Sequence, residues 1–227
     1  MPSAPKPSIE PLGVRALAKQ RTAEAIVDAA LPLFQACGYD AVTTEQIARA
    51  AGVTQRTLFR YFPRKELILY AQRYDYVDRY EAFLNEAMSI WPRPYDAVRS
   101  AFQSLTGFYE ANRASVSQVY AIIQGSDQLQ AIERGHQMRI DELTAFALDG
   151  AEAYFARQGR PTLESRIVAS VLFGTIRPMF REWLRGELPG ELRLYAEIGW
   201  ANVEPTILAA QAYADTAVAA FRRVPPR

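Results

Sequence analysis

Gln55, Arg56 and Thr57 open the second of two short helical patterns in "TTEQIARAAGVTQRTLFRYF", residues 43–62, and their side chains are those that read bases. A glutamine amide pairs bidentately with adenine and an arginine guanidinium with guanine, so the N-terminal end of a helix carrying both suits a major groove. The hydroxyls of Thr43, Thr44 and Tyr61, with the Lys65 ammonium, suit phosphate oxygens. Thr54, the cap of the second helix, and Arg60 complete the candidate DNA-facing set, although Arg60 could equally be a solvated side chain. Catalysis has no comparable constellation. The sequence contains no nucleophile elbow, no phosphate-cradling glycine loop and no HExxH pair. The single histidine, His136, sits in "ERGHQMR" with no ligand or nucleophile partner and reads as exposed or dimer-facing, while the single cysteine, Cys37, reads as a small buried hydrophobe. No catalytic residue, metal or cofactor is expected, and the chain is not expected to be an enzyme.

These residues need elements that hold them. Ile47, Ala48 and Ala51 recur at helical spacing before Gly52, and Leu58 and Phe62 stand four apart beyond it, which predicts helix, tight turn, helix. Two helices of about two turns each cannot be stable alone, so they must pack on something else. A preceding helix from about Thr22 offers Ile26, Ala29, Ala30, Leu33, Phe34 and Cys37 as an apolar stripe, with Gly38 as its stop and a kink or tightened turn expected at Pro32. Thr43 with Gln46 predicts a capping box. After Pro63, "RKELILYAQRYDYVDRYEAFLNEAMSI" reads as one long amphipathic helix, followed by helices over roughly 95–111, 114–124, 127–158, 163–186 and 192–222, with Pro178 expected to kink its helix. Apolar residues recur at three and four rather than two throughout, so the fold class is all-α.

With 227 residues, 49% of them hydrophobic, the chain can bury a real core. Its 26 basic and 25 acidic residues nearly cancel, but residues 1–65 carry nine basic side chains against five acidic ones. A basic N-terminal part on a mildly acidic remainder suits an anion-binding module carried by a body that is not one. One cysteine excludes an intrachain disulfide framework and fits a reducing cytoplasm, where the protein is expected to reside. Pro2, Pro5, Pro7 and Pro11 mark a disordered leader, and the longest apolar run, 167–176, is too short to span a membrane.

The run "AIVDAALPLFQACGYDAVTTEQIARAAGVTQRTLFRYFPRKELIL", Ala25 to Leu69, resembles the three-helix head of the tetracycline-repressor (TetR) family in order and spacing. The resemblance implies a disordered leader over 1–20, a helix-turn-helix DNA-binding head over 21–66, and a larger helical body over 67–227 that binds ligand and forms a homodimer through its last long helices. Phe59 departs from the family, which usually has a phosphate-contacting tyrosine there, and leaves Tyr61 as the phosphate ligand; Pro32 is also unusual. The body stretch "ANRASVSQVYAIIQGSDQLQAIERGHQMRIDELTAFALDG" resembles members that sense acyl-CoA or related amphipathic molecules. Candidate ligand contacts are Phe83, Phe102, Tyr109, Tyr120 and Phe173, and candidate dimer contacts are Ile176, Phe180 and Trp183 with Ile207, Tyr213, Ala214 and Phe221. The function expected is a ligand-responsive repressor acting as a homodimer on a palindromic double-stranded operator, its two heads about 34–36 Å apart. A small amphipathic or apolar effector, acyl-CoA-like or otherwise, would shift the long helix after Pro63 and release DNA, with no membrane involved. The alternative is a constitutive DNA-binding or protein-interaction module without a pocket.

Overall fold

The computed structural model describes residues 14–71 and 75–205, and every regular element among them is helical. The chain divides after Ala71 into two compact units. The first holds α1 (Val14–Cys37), α2 (Thr44–Ala50), α3 (Gln55–Tyr61) and α4 (Leu67–Tyr70), with α1 packed on α2 and α4, and α2 on α3. Ile26, Ala30, Phe34, Ile47, Leu58 and Ile68 are fully or almost fully buried and form the centre of this unit. Burying such a side chain contributes about 1.5–3 kcal/mol, which two-turn helices cannot supply alone.

Local signals set the ends of these helices. Thr43 and Gln46 cap each other's backbone amides at α2, forming the predicted capping box, and the Thr54 hydroxyl accepts from the Thr57 amide at 3.1 Å to open α3. Between them Gly52 takes φ +67°, a left-handed conformation that costs glycine no side-chain clash, while the Val53 amide donates to the Ala48 carbonyl at 2.9 Å. α1 differs from expectation at both ends. It begins at Val14, ahead of Thr22, and its last residue, Cys37, is exposed rather than buried because the helix has turned past the stripe that ends at Phe34. α1 also continues as α-helix through Pro32, which lies on the exposed side and still forgoes one backbone bond.

The second unit holds α5 (Tyr76–Ile90), α6 (Pro94–Ala111), α7 (Arg113–Gln124), α8 (Asp127–Leu148), α9 (Ala151–Ala156), α10 (Leu163–Arg185) and a further helical stretch over 192–205. α8 is its centre, packed against α5, α6, α7, α9 and α10. Inside, the Thr144 hydroxyl donates to the Ile140 carbonyl and therefore accepts from the Tyr80 hydroxyl, both bonds at 2.8 Å. Two expected helices are broken. The single helix from Arg64 to Trp91 is instead α4 and α5, because Ala71 is extended (φ −75°, ψ 134°); Ile68 and Leu69 are buried in the first unit and Tyr76 and Tyr80 in the second. The helix expected over 127–158 ends at Leu148, where Gly150 at φ +107° turns the chain into α9. α10 runs on through Pro178 and closes at Gly186 (φ +80°) with Glu187 donating to the Glu182 carbonyl and Gly186 to that of Trp183, a Schellman motif. Of the helix expected over 192–222, residues 206–222 lie outside the described residues.

Candidate nucleic-acid interface and ligand cavity

In the first unit, Leu58 is wholly buried and fixes α3 so that Gln55, Arg56, Phe59 and Arg60, at helical spacing, lie exposed. Gln55 donates from Nε2 to the Thr44 hydroxyl at 2.8 Å, which ties the start of α3 to the start of α2. Thr57 is half-buried, its hydroxyl 2.9 Å from that of Thr54, so the two threonines serve the cap as much as the surface. Thr43 is occupied in its capping box, and the Arg60 guanidinium lies 5.4 Å from the centre of the Tyr61 ring. Phe59 was not among the expected contacts, yet it is 42% exposed on the same face as Arg56. Its exposure follows from the spacing, since the buried Leu58 directly precedes it. An apolar ring there suits a thymine methyl group rather than a phosphate.

Lys65 is held by the protein itself. Its ammonium donates to the carbonyls of Tyr39 at 2.8 Å and Val42 at 2.9 Å, and it sits 4.1 Å from the Tyr39 ring centre. Burial lowers its pKa, while Asp40 and Glu66 oppose that shift. An ammonium has three donors, so with two committed this lysine braces the turn between α1 and α2 and has little left for a phosphate.

The second unit contains a partly open cavity of about 80 Å³. Its walls come from α5, α6, α7, α8, α10 and the 192–205 stretch, and the lining includes Phe102, Tyr109, Tyr120 and Phe173, four of the five expected ligand contacts. Phe83 is absent from the lining and half-buried elsewhere on α5, because the inward face of that helix is set by Tyr76, Tyr80 and Leu84. The polar lining was not expected. Glu133, Gln137 and Arg177 join the aromatic walls, with Arg177 ion-paired to Asp141. Glu133 accepts from the Tyr76 hydroxyl at 2.8 Å, and burial pushes its carboxyl pKa up, opposed by the Tyr76 bond, the nearby Gln137 amide and the charges of Arg181 and Arg177. A carboxylate on the apolar stripe of α8, four residues after Leu129, was the available signal. His136 is half-buried with its ring edge-on to Tyr76 at 6.1 Å, so it is not the fully exposed side chain that was one expectation, and burial lowers its pKa.

The expected dimer contacts on α10 point inward. Ile176 and Phe180 line the cavity, and Trp183 is buried, its Nε1 donating to the Gly190 carbonyl at 3.0 Å and its ring under the Arg113 guanidinium. That side of α10 packs on α8 and α7. Leu163, Ile167 and Val171 lie on the opposite, exposed side at four-residue spacing. Ile207, Tyr213, Ala214 and Phe221 lie outside the described residues. Among the described residues, no helix is long and apolar enough to cross a membrane.

Residues 26–71 match the family model for bacterial regulatory proteins of the tetR family. The chain is 29% identical over 174 residues to MftR of Mycobacterium tuberculosis, covering 74% of this chain and 83% of that protein. It is 32% identical over 139 residues to the HTH-type transcriptional regulator RutR of Escherichia coli K12, covering 60% of each. Among solved structures, the TetR-family transcriptional repressor FadR of Thermus thermophilus, in complex with lauroyl-CoA, shares the fold with a TM-score of 0.54 at 19% identity, over 80% of this chain and 92% of that one. A helix-turn-helix built on these caps and this glycine, and the family match over that same unit, lead to one assignment: residues 26–71 are the DNA-binding domain of the tetR family of bacterial regulatory proteins.

Proposed function

We propose that the protein is a ligand-responsive repressor that binds a palindromic operator as a homodimer and is released by a small apolar or amphipathic effector. The observation that carries this reading is the pairing, in one chain, of an exposed Arg56-bearing helix-turn-helix with a partly open aromatic cavity in the other unit. In the first unit, Arg56 and Gln55 read base edges, Phe59 meets a thymine methyl, and Thr44, Arg60 and Tyr61 hold phosphates. Thr43, Thr54 and Thr57 support them as caps. The unit that ends at Ala71 and the unit that follows it divide these tasks.

Dimerisation is assigned to the exposed apolar side of α10, Leu163, Ile167 and Val171, together with Leu194 and Ile198 on the 192–205 stretch. Two copies related by a two-fold axis can pair such helices as a bundle and so present two heads to successive turns of a major groove. An effector acts only through a difference in affinity between the DNA-bound and released states, for which about 1–3 kcal/mol is typical. Lauroyl-CoA in the Thermus FadR structure supports an amphipathic effector, and DNA as partner supports a cytoplasmic location. One observation favours the alternative of a constitutive module: at about 80 Å³ the cavity holds only two or three molecules the size of water, so a larger effector must widen it.

The test is selection of genomic fragments by the purified protein, followed by gel shifts on the recovered site at two salt concentrations. A short palindrome bound in a salt-dependent manner is expected. Recovery of no site above background from ligand-stripped protein would reject the repressor reading, and a site whose affinity no small molecule changes would favour the constitutive module.

A further inference from the structure

Two buried oxygen atoms in the cavity accept no hydrogen bond within the geometric limits of one. Glu133 is only 9% exposed, and while its Oε1 accepts from Tyr76, its Oε2 has no hydrogen-bond partner. Tyr120, 6% exposed, has an equally unpartnered hydroxyl, and both residues line the same aromatic cavity. A purely hydrocarbon ligand would press carbon against both groups and leave each buried and unsatisfied, which works against binding. The cations of the lining, Arg181 and Arg177, favour the ionised carboxyl but do not outweigh its burial, and neither bonds to it. Arg177 is bound to Asp141 and the Gln137 carbonyl and lies over the Phe173 ring at 5.1 Å, and Arg181 is exposed. What faces the interior is therefore a carboxylate oxygen among aromatic rings, an arrangement that attracts a cation bearing N–H donors.

We propose that this cavity takes a compact apolar amine, its hydrocarbon or aromatic body among Phe102, Tyr109 and Phe173 and its protonated nitrogen donating to Glu133, with the Tyr120 hydroxyl as a second acceptor. The proposal rests on reading the cavity as the effector site and narrows "amphipathic" to cationic, away from fatty carboxylates. Burial already disfavours the ionised Glu133 carboxyl, and an ammonium in contact with it removes that disadvantage.

The experiment uses the full chain, stripped of ligand, with three probes of one skeleton: 4-phenylbutylamine, 4-phenylbutanol and 4-phenylbutyrate. Calorimetric titration near neutral pH is expected to show the amine binding at least about tenfold more tightly than the other two. Glu133→Gln is expected to remove that preference while leaving the alcohol within about threefold, and Tyr120→Phe to weaken the amine by less. A carboxylate that binds as tightly as the amine overturns the proposal in the wild-type chain alone, whatever the variants do. So does failure of all three probes to bind at millimolar concentration. Gel shifts run in parallel separate the two readings. Glu133-dependent amine binding with unchanged operator affinity keeps the ligand class and rejects the effector role, whereas release by the carboxylate and not the amine keeps the effector role and overturns the ligand class.

Discussion

Arg56 and Lys65 are both basic side chains of the helix-turn-helix unit, yet the structure gives them opposite jobs. Arg56 is exposed and free to meet a base, so Arg56→Ala should lose about 1–3 kcal/mol of discrimination at one operator position, measured by gel shift on single-base operator variants. Lys65→Ala removes two hydrogen bonds to the carbonyls of Tyr39 and Val42, so it should lower the stability of this unit by about 1–3 kcal/mol in urea unfolding. The salt slope of operator binding should stay as in wild type; a slope shallower by about one would restore Lys65 as a phosphate contact. The exposed position of Arg56 was legible because it depends on a seven-residue helix anchored by Leu58. That of Lys65 was not, because a flexible four-carbon stem can reach a carbonyl 26 residues upstream. Glu133 belongs with the second kind. Its folded pKa lies above the usual 4.5, so the stability tied to its neutral form is complete below that pH and lost as pH rises through the raised value. Thermal melts should therefore show Glu133→Gln gaining on wild type from pH 4.5 toward neutrality, and a difference that does not vary with pH would mean Glu133 is not buried as charge.

Helices that carry both their own start and stop signals formed where the sequence placed them. Thr43 with Gln46 and Thr54 with Thr57 are contacts within one turn, and Gly52 supplies the only residue type for which φ +67° carries no Cβ penalty. The break at Ala71 has no glycine or proline to announce it, and so only burial of the flanking residues in separate units reveals it. Close helix packing is equally invisible locally. A Cβ at Gly199 would come within 2.9 Å of Ile176 Cγ1, so the 192–205 stretch approaches α10 where α10 lines the cavity. Gly199→Ala should cost about 1–3 kcal/mol in urea unfolding through overpacking, and the double change with Ile176→Ala, which removes the clashing Cγ1, should cost less than the sum of the two single changes. Equal stability of Gly199→Ala and wild type would show that Ile176 moves aside freely.

Assembly into a dimer depends on which face of α10 remains uncovered. The double variant Ile167→Glu with Leu194→Glu should run as a monomer in light scattering at micromolar concentration and bind operator at least about tenfold more weakly, because each glutamate would be buried against apolar side chains. A double variant that stays dimeric would move the interface elsewhere. The sequence had offered Trp183 and Ile176 for this role, since α10 carries apolar residues on two sides and periodicity alone does not say which side meets another chain. Packing on α8 and α7 covers one of them and leaves Leu163, Ile167 and Val171 outside. The same limit applies to the cavity: four of its aromatic residues were legible as apolar faces, but the unpartnered oxygens of Glu133 and Tyr120 exist only once five helices and the 192–205 stretch surround them. The helical class, the helix-turn-helix and the exposure of Gln55 and Arg56 on it were already legible in the chain's order of residues, because caps, turns and 3.6-residue periodicity act within a few residues of one another. The brace at Lys65, the uncovered face of α10 and the polar character of the cavity were decided by folding, because each is a relation between side chains far apart in sequence.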